Sequence, residues 1–187
     1  PTNTFPAAPS AQIISLGAGS DTRFFRLPLH QRRALLYHEL DFTDNTIAKV
    51  NAIQRDTHLK SHILESLSSP DLLTITSNTT IHSPTYNLYP IDIRLFATST
   101  PPTIPNLRSD LPTLVLSECC LCYLPPQTTT SILSHFTSTL LPTVPISLIL
   151  YEPIRPYDSF GKTMITNLSS RGIALQTLKK YYSLEAQ

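Results

Sequence analysis

The segment Gln12 to Leu27, QIISLGAGSDTRFFRL, constrains the fold more than any other stretch of the chain. An apolar run, Ile13-Ile14-Ser15-Leu16, leads straight into Gly17-Ala18-Gly19, followed by Asp21, Thr22, Arg23 and the pair Phe24-Phe25. The pattern predicts a strand that ends in a glycine turn. In an open α/β sheet a ligand lies beyond the carboxyl end of such a strand, because glycine lets it approach the backbone closely. A tight turn in an ordinary sheet protein would look the same, so the rest of the chain must supply the context.

The residues around the turn narrow the choice of ligand. A dinucleotide site places a third glycine in G-x-G-x-x-G and offers free N–H groups to a pyrophosphate. Here Thr22 holds the third position, and Asp21 before it would repel a diphosphate. A phosphate-free cofactor with cationic groups fits better, and S-adenosyl-L-methionine, with its sulfonium and α-ammonium, is one. A nicotinamide-dependent oxidoreductase is disfavoured for the same reason.

At 187 residues the chain has the length of one domain. Its net charge of +1 gives no footprint for nucleic acid or a membrane surface, and no apolar run approaches the ~20 residues of a membrane helix. The N-terminus lacks the pattern of a signal peptide. A cytoplasmic monomer is the expectation. Cys119, Cys120 and Cys122 form a C-C-x-C run in which Cys119 and Cys122 have C-x-x-C spacing, and no second Cys/His cluster balances it to make a zinc site. They are read as small buried residues of a reduced core, with no disulfide and no metal.

Along the chain, residues 1–10 form a flexible Pro-rich tail and residues 11–187 one partial domain. Strands are predicted at about Gln12 to Leu16, Leu35 to Asp41, Tyr86 to Asp92, Thr113 to Glu118 and Ile146 to Tyr151, with a short one near Leu72 to Thr76. Helices are predicted from Thr22 to Leu27, stopping at Pro28, and from a Thr43-Asp44 cap into the high fifties along Ile47, Val50 and Ile53. Others follow around His62 to Leu67, along Ile132, Leu133, Phe136 and Leu140, and from an Asp158 cap along Phe160, Met164, Ile165 and Leu168 to Gly172. Ala97 to Pro112 reads as a loop. Strand and helix alternate, which predicts a mostly parallel sheet covered on both faces.

Four acids stand at strand ends: Asp41, Asp92, Glu118 and Glu152. In a parallel sheet these ends share one rim, so the four are expected to line one crevice. Asp41 follows Gly17 at the offset of an acid that accepts from ribose hydroxyls. Asp92 could accept from the adenine amine, and Glu118 is placed to face the methionine end or to shape the pocket beside it. His38 and His135 are read as surface or strand-end residues, and no Ser/His/Asp or Cys/His constellation is present.

With these motifs in place, QIISLGAGSDTRFFRL, HELDF, LPTLVLSECCLCYLPP, LYEPIRPYDSFGKTMITNL and SLEAQ, in this order, resemble leucine carboxyl methyltransferases. These are S-adenosylmethionine enzymes that methylate the C-terminal leucine carboxylate of the type 2A protein phosphatase catalytic subunit. The similarity is weakest between about Asp56 and Pro112. It implies a Rossmann-like methyltransferase sheet, incomplete at both ends, because members carry an N-terminal helical region with basic residues and a C-terminal part that completes the sheet. It also implies that Gly17 contacts the cofactor, Asp41 holds the ribose, Asp92 and Ile93 flank the adenine, and Glu118 meets the methionine portion. Tyr123 and Tyr151 match tyrosines near the methyl-transfer site, while Arg155, Asp158 and Phe160 are assigned no role. Two alternatives stay open: the related carboxyl methyltransferase of transfer RNA wybutosine synthesis, and a non-catalytic module that binds the cofactor or a partner.

Overall fold

A computed structural model describes residues 8–140 and 144–186, with backbone only at 139 and 140. The tail expected at 1–10 and the side chain of Leu140 therefore lie largely outside the described residues. Seven strands form one sheet: β1 (Ala11–Leu16), β2 (Leu35–Asp41), β3 (Thr74–Thr76), β4 (Thr80–His82), β5 (Tyr86–Pro90), β6 (Thr113–Glu118) and β7 (Ile146–Tyr151). Their order is β3-β4-β5-β2-β1-β6-β7. The five strands β5-β2-β1-β6-β7 run parallel, and the hairpin β3-β4 adds an antiparallel edge.

Buried parallel strands must be apolar on both faces, and β2 is buried from Leu36 to Asp41. The register pairs Ile13 with Tyr37 and Leu114, which places odd-numbered residues of β1 on one face and even-numbered residues on the other. On the first face, Phe24 and Phe25 of α1 (Arg23–Arg26), Val50 and Ile53 of α3 (Thr43–Arg55) and Ile63 of α4 (Thr57–Ser66) pack on Tyr37, Tyr86 and Leu88. The short helix α2 (Leu29–Ala34) leads into β2. On the second face, Ile132 of α5 (Pro126–Ser134) and Phe136 join Ile14, Leu16, Leu40, Val115 and Phe96. No helix among the described residues is long and apolar enough to cross a membrane.

Several expectations shift in detail. The long helix of the forties and fifties breaks at Asp56, whose carboxylate accepts from the N–H groups of His58 and Leu59 and caps α4. Its start is not capped by Thr43 or Asp44: the cap position is Phe42, which offers no acceptor. The strand expected from Leu72 begins at Thr74, after a 3-10 turn at Pro70–Leu72. Helix α5 runs on into a π-helical turn, His135–Leu140. Helix α6 (Ser159–Ser169) is capped by Asp158, which accepts from Gly161 N–H, and it ends in a Schellman arrangement: Ile173 N–H to Leu168 O and Gly172 N–H to Ser169 O, with Gly172 at φ +72°. Its expected apolar face is only partly covered, with Phe160 75% exposed.

His38 is neither at the surface nor at a strand end. It is fully buried in the middle of β2, and neither ring nitrogen has a hydrogen-bond partner. Burial pushes its pKa from the ordinary 6.5 down to about 3. The unfolded chain therefore binds the proton first, and this residue's contribution to stability is lost as pH falls below about 6.5. Replacing the ring by leucine should remove that loss. In urea titrations His38→Leu is expected to gain on the native protein as pH drops, by up to about 1.4 kcal/mol per pH unit below 6.5, whereas a difference constant with pH would contradict the assignment.

Candidate cofactor site at the glycine turn

Chain order reverses direction in the sheet between β1 and β6, and a ligand crevice forms at such a switch point. The turn after β1 lies there. Gly17 and Gly19 take φ of +62° and +48°, a region that side chains other than glycine rarely enter. A crevice of about 360 Å³ opens beside them, lined by Gly17, Ala18, Asp21, Arg23, Glu118 and Cys119 among others. That is within the range of small-ligand sites.

Five backbone donors of the turn are engaged within the protein. Gly17 and Ala18 N–H groups both bond Leu40 O, at 2.9 and 3.2 Å, and Gly19 N–H bonds Asp41 Oδ2 at 2.6 Å. Asp21 N–H bonds Ala18 O, and Arg23 N–H bonds Asp21 Oδ1. A phosphate cradle needs such groups free and pointing at the anion. The helix that follows is a single turn. Gly17, Ala18 and Gly19 N–H groups are thus not free to cradle a phosphate.

Asp41 is the keystone. Its carboxylate accepts from Gly19 N–H, from Phe42 N–H at 2.7 Å and from Asn45 Nδ2 at 2.7 Å, and so joins the glycine turn to the start of α3. It is only 8% exposed and stands behind the turn rather than among the residues that line the crevice. Gly17 is confined by the opposite wall, since a Cβ built there would lie 2.2 Å from Cys120 Sγ. Gly17→Ala should therefore cost about 2 to 3 kcal/mol in chemical denaturation, from positive φ and overlap together. Adding Cys120→Gly should recover part of it; no recovery would mean the backbone angle alone is responsible.

The four strand-end acids do share one rim, but they do not line one crevice. Side chains alternate along a strand, so Glu118 faces the glycine crevice while Glu152, one residue past β7, turns to the other side. There it accepts from Leu121 N–H at 3.0 Å, and it lines a separate, largely apolar cavity of about 290 Å³ with Cys122, Leu133, Leu148 and Thr177. Asp92 caps the 3-10 turn Ile93–Ala97 and is held by Arg94, whose guanidinium keeps its carboxyl below the usual range. Ile93 is buried in the core, so only its backbone can face a ligand. Tyr123 and Tyr151 are 40% and 67% exposed, and neither lines the glycine crevice. Tyr151 instead shares an apolar groove with Arg23, Glu118 and Ile149, where β6 and β7 lie bare on the first face. The cysteines are free but unequal: Cys119 is exposed, Cys120 packs on Gly17 and Cys122 is buried. No cluster suited to a metal exists among the described residues.

Three features were not anticipated. Arg23 pairs both Asp21, at 2.8 Å, and Glu118 across the crevice. This leaves the Asp21 carboxylate neutralised and turned inward, which weakens its expected repulsion of anions. Beneath the turn, fully buried Glu39 meets Lys49 Nζ at 2.5 Å and Tyr86 OH at 2.8 Å, while Lys49 also donates to Asp21 O at 2.7 Å. An acid inside an apolar strand and a lysine on the apolar face of a helix are the sequence signals for this pair. Finally Phe42 stands 49% exposed on the rim, with the Arg94 guanidinium over its ring.

An adenosine-based, phosphate-free group would meet a glycine turn and the Glu118 carboxylate at this crevice, with the Asp41 carboxylate behind the turn. Comparison with known proteins bears on the same residues. The family described as "Leucine carboxyl methyltransferase" matches residues 3–137. Leucine carboxyl methyltransferase 1 of Aspergillus fumigatus is 46% identical over 206 aligned residues, which cover 97% of this chain and 52% of the relative. The protein of that name from Emericella nidulans is 46% identical over 193 residues (94% and 49%), and the Arabidopsis thaliana homolog is 36% identical over 176 (89% and 48%). The chain thus spans about half the length of these relatives. On the strength of that match and the sheet that carries it, the chain belongs to the leucine carboxyl methyltransferase family.

Proposed function

We propose that this chain carries the S-adenosyl-L-methionine site of a carboxyl methyltransferase, and that its acceptor is the C-terminal leucine α-carboxylate of the type 2A protein phosphatase catalytic subunit. The observation that carries the reading is the glycine turn at the switch point, tied to Asp41 through Gly19 N–H and with the Gly17 and Ala18 N–H groups held by Leu40 O. Family membership supports the acceptor class.

When bound, S-adenosylmethionine supplies an electrophilic methyl group on a sulfonium. Gly17 admits it against the backbone, Asp41 accepts from the ribose hydroxyls, and Asp92 with the Ile93 backbone flanks the adenine. Glu118 meets the cationic amino-acid end. Tyr123 and Tyr151 stand near the acceptor side, exposed enough to touch an incoming peptide. The residues need not remove a proton: a C-terminal carboxylate has a pKa near ~3.5 and is already ionised at pH 7. Their task is alignment and exclusion of water, and orienting the reacting atoms can supply roughly 7 to 11 kcal/mol.

The test uses S-adenosylmethionine tritiated on its methyl group with the phosphatase catalytic subunit, intact or lacking its last leucine. The reading expects label that depends on that leucine and is released as volatile methanol in alkali, as an ester must be. Label that survives alkali, or none with the full chain, would refute it.

A further inference from the structure

Glu152 is the strand-end acid to which the methyl-donor reading gives no task. One of its oxygens, Oε1, accepts from Leu121 N–H at 3.0 Å; the other, Oε2, is buried and has no hydrogen-bond partner. Among the described residues no Lys or Arg forms an ion pair with it. The neighbouring Cys122 thiol brings no positive charge, because burial and then the Glu152 carboxylate push its pKa up and keep it protonated. A buried carboxylate oxygen left unmatched is destabilising, and in a native fold such an atom points to a missing partner.

Glu152 lines the cavity of about 290 Å³ bounded by β7, α5 and the segment around Thr177, which shares no lining residue with the glycine crevice. Leu121, Leu133, Leu148 and Leu150 form its apolar wall. The cavity is open to solvent, since Leu148 on the edge strand is 37% exposed and Ser134 of α5 is exposed beside it. A metal ion does not suit such a place: hard cations take about six oxygen ligands, and no metal-binding cluster exists among the described residues. One carboxylate oxygen at the end of an apolar wall suits a cation that carries its own apolar body.

We propose that this cavity binds a small primary amine as its ammonium, with the head on Glu152 Oε2 and an aliphatic or aromatic body against the leucines. The site is independent of the methyl-donor reading and goes beyond it. The ammonium neutralises the carboxylate and donates to the unmatched oxygen, a charge-assisted bond roughly twice as strong as a neutral one. The body leaves water for the leucine wall, so each methylene that the cavity accommodates should tighten binding about fourfold. An alcohol of the same length would fill the wall without matching the charge, and a carboxylate would meet Glu152 as a like charge.

Calorimetry on the full chain at pH 7 tests this with n-butylammonium, n-hexylammonium, n-hexanol and hexanoate. Hexylammonium should bind more tightly than butylammonium and at least tenfold more tightly than hexanol, while hexanoate gives no heat. Glu152→Gln keeps an oxygen for Leu121 N–H and should weaken hexylammonium at least tenfold. Ser134→Leu, at an exposed helix position, should block the cavity and weaken hexylammonium to the same extent; it decides alone if Glu152→Gln fails to fold. No heat with hexylammonium at millimolar concentration, equal affinity for hexylammonium and hexanol, or heat from hexanoate would overturn the proposal. So would hexylammonium binding that survives either variant.

Discussion

Asp41→Ala is expected to reduce affinity for S-adenosylhomocysteine by about 100-fold or more, near 2.7 kcal/mol, in calorimetry at pH 7. Two losses add. The ribose hydroxyls lose a charged acceptor, and a hydrogen bond to a charged group is worth about 1.5 to 3 kcal/mol. The glycine turn also loses its tether, since Gly19 N–H, Phe42 N–H and Asn45 Nδ2 all converge on that carboxylate. Asn45→Ala separates the two, because it removes one of the tethering donors and leaves the carboxylate. It should weaken binding by no more than a few-fold. Unchanged affinity in Asp41→Ala would remove the ribose assignment.

Lys49→Met should be the most destabilising change among those considered, costing about 3 to 5 kcal/mol, because it leaves a buried carboxylate without its cation. Glu39 has no exposure, and Lys49 is its ion-pair partner at 2.5 Å. Even with that partner, burial pushes the Glu39 pKa up to about 7 from an ordinary 4.5. The folded state therefore holds the proton more tightly than the unfolded one. Stability attributable to Glu39 is present below about pH 4.5 and falls as pH rises toward 7. Without Lys49 this dependence should steepen and extend above pH 7. Urea midpoints measured from pH 5 to 9 would reveal it, and a pH-independent loss in Lys49→Met would show that the lysine acts by packing alone. Lys49→Met/Glu39→Gln should recover much of the stability. Because Lys49 also holds Asp21 O, the single variant should loosen the glycine turn from below.

Much of the scaffold was legible because its signals are local. The bounds of β2 follow from an apolar run closed by Asp41, and β1 from a run closed by Gly17. The hairpin β3-β4 went unseen for a physical reason: Ser77 and Asn78 turn at φ +51° and +53° without the glycine that usually marks such a turn. The break between α3 and α4 hinges on one capping carboxylate, Asp56, inside a stretch whose apolar spacing continues across it. At the site, Asp41 could be placed from its offset to the glycines. The partnership of Arg23 with Glu118 could not, since only the pairing of β1 with β6 brings residues 95 positions apart together. The same sheet geometry divided the strand-end acids, because alternation sends Glu118 and Glu152 to different cavities.

Photo-crosslinking of methyl-tritiated S-adenosylmethionine, followed by mapping of the labelled peptides, most directly tests whether the donor lies at the glycine turn. Label should fall on peptides that contain Gly17 to Arg23 or Glu118 to Tyr123 and should be lost in Asp41→Ala. Label confined to Thr129 to Thr137 or Thr177 to Tyr181, which line the apolar cavity beside β7, would contradict it.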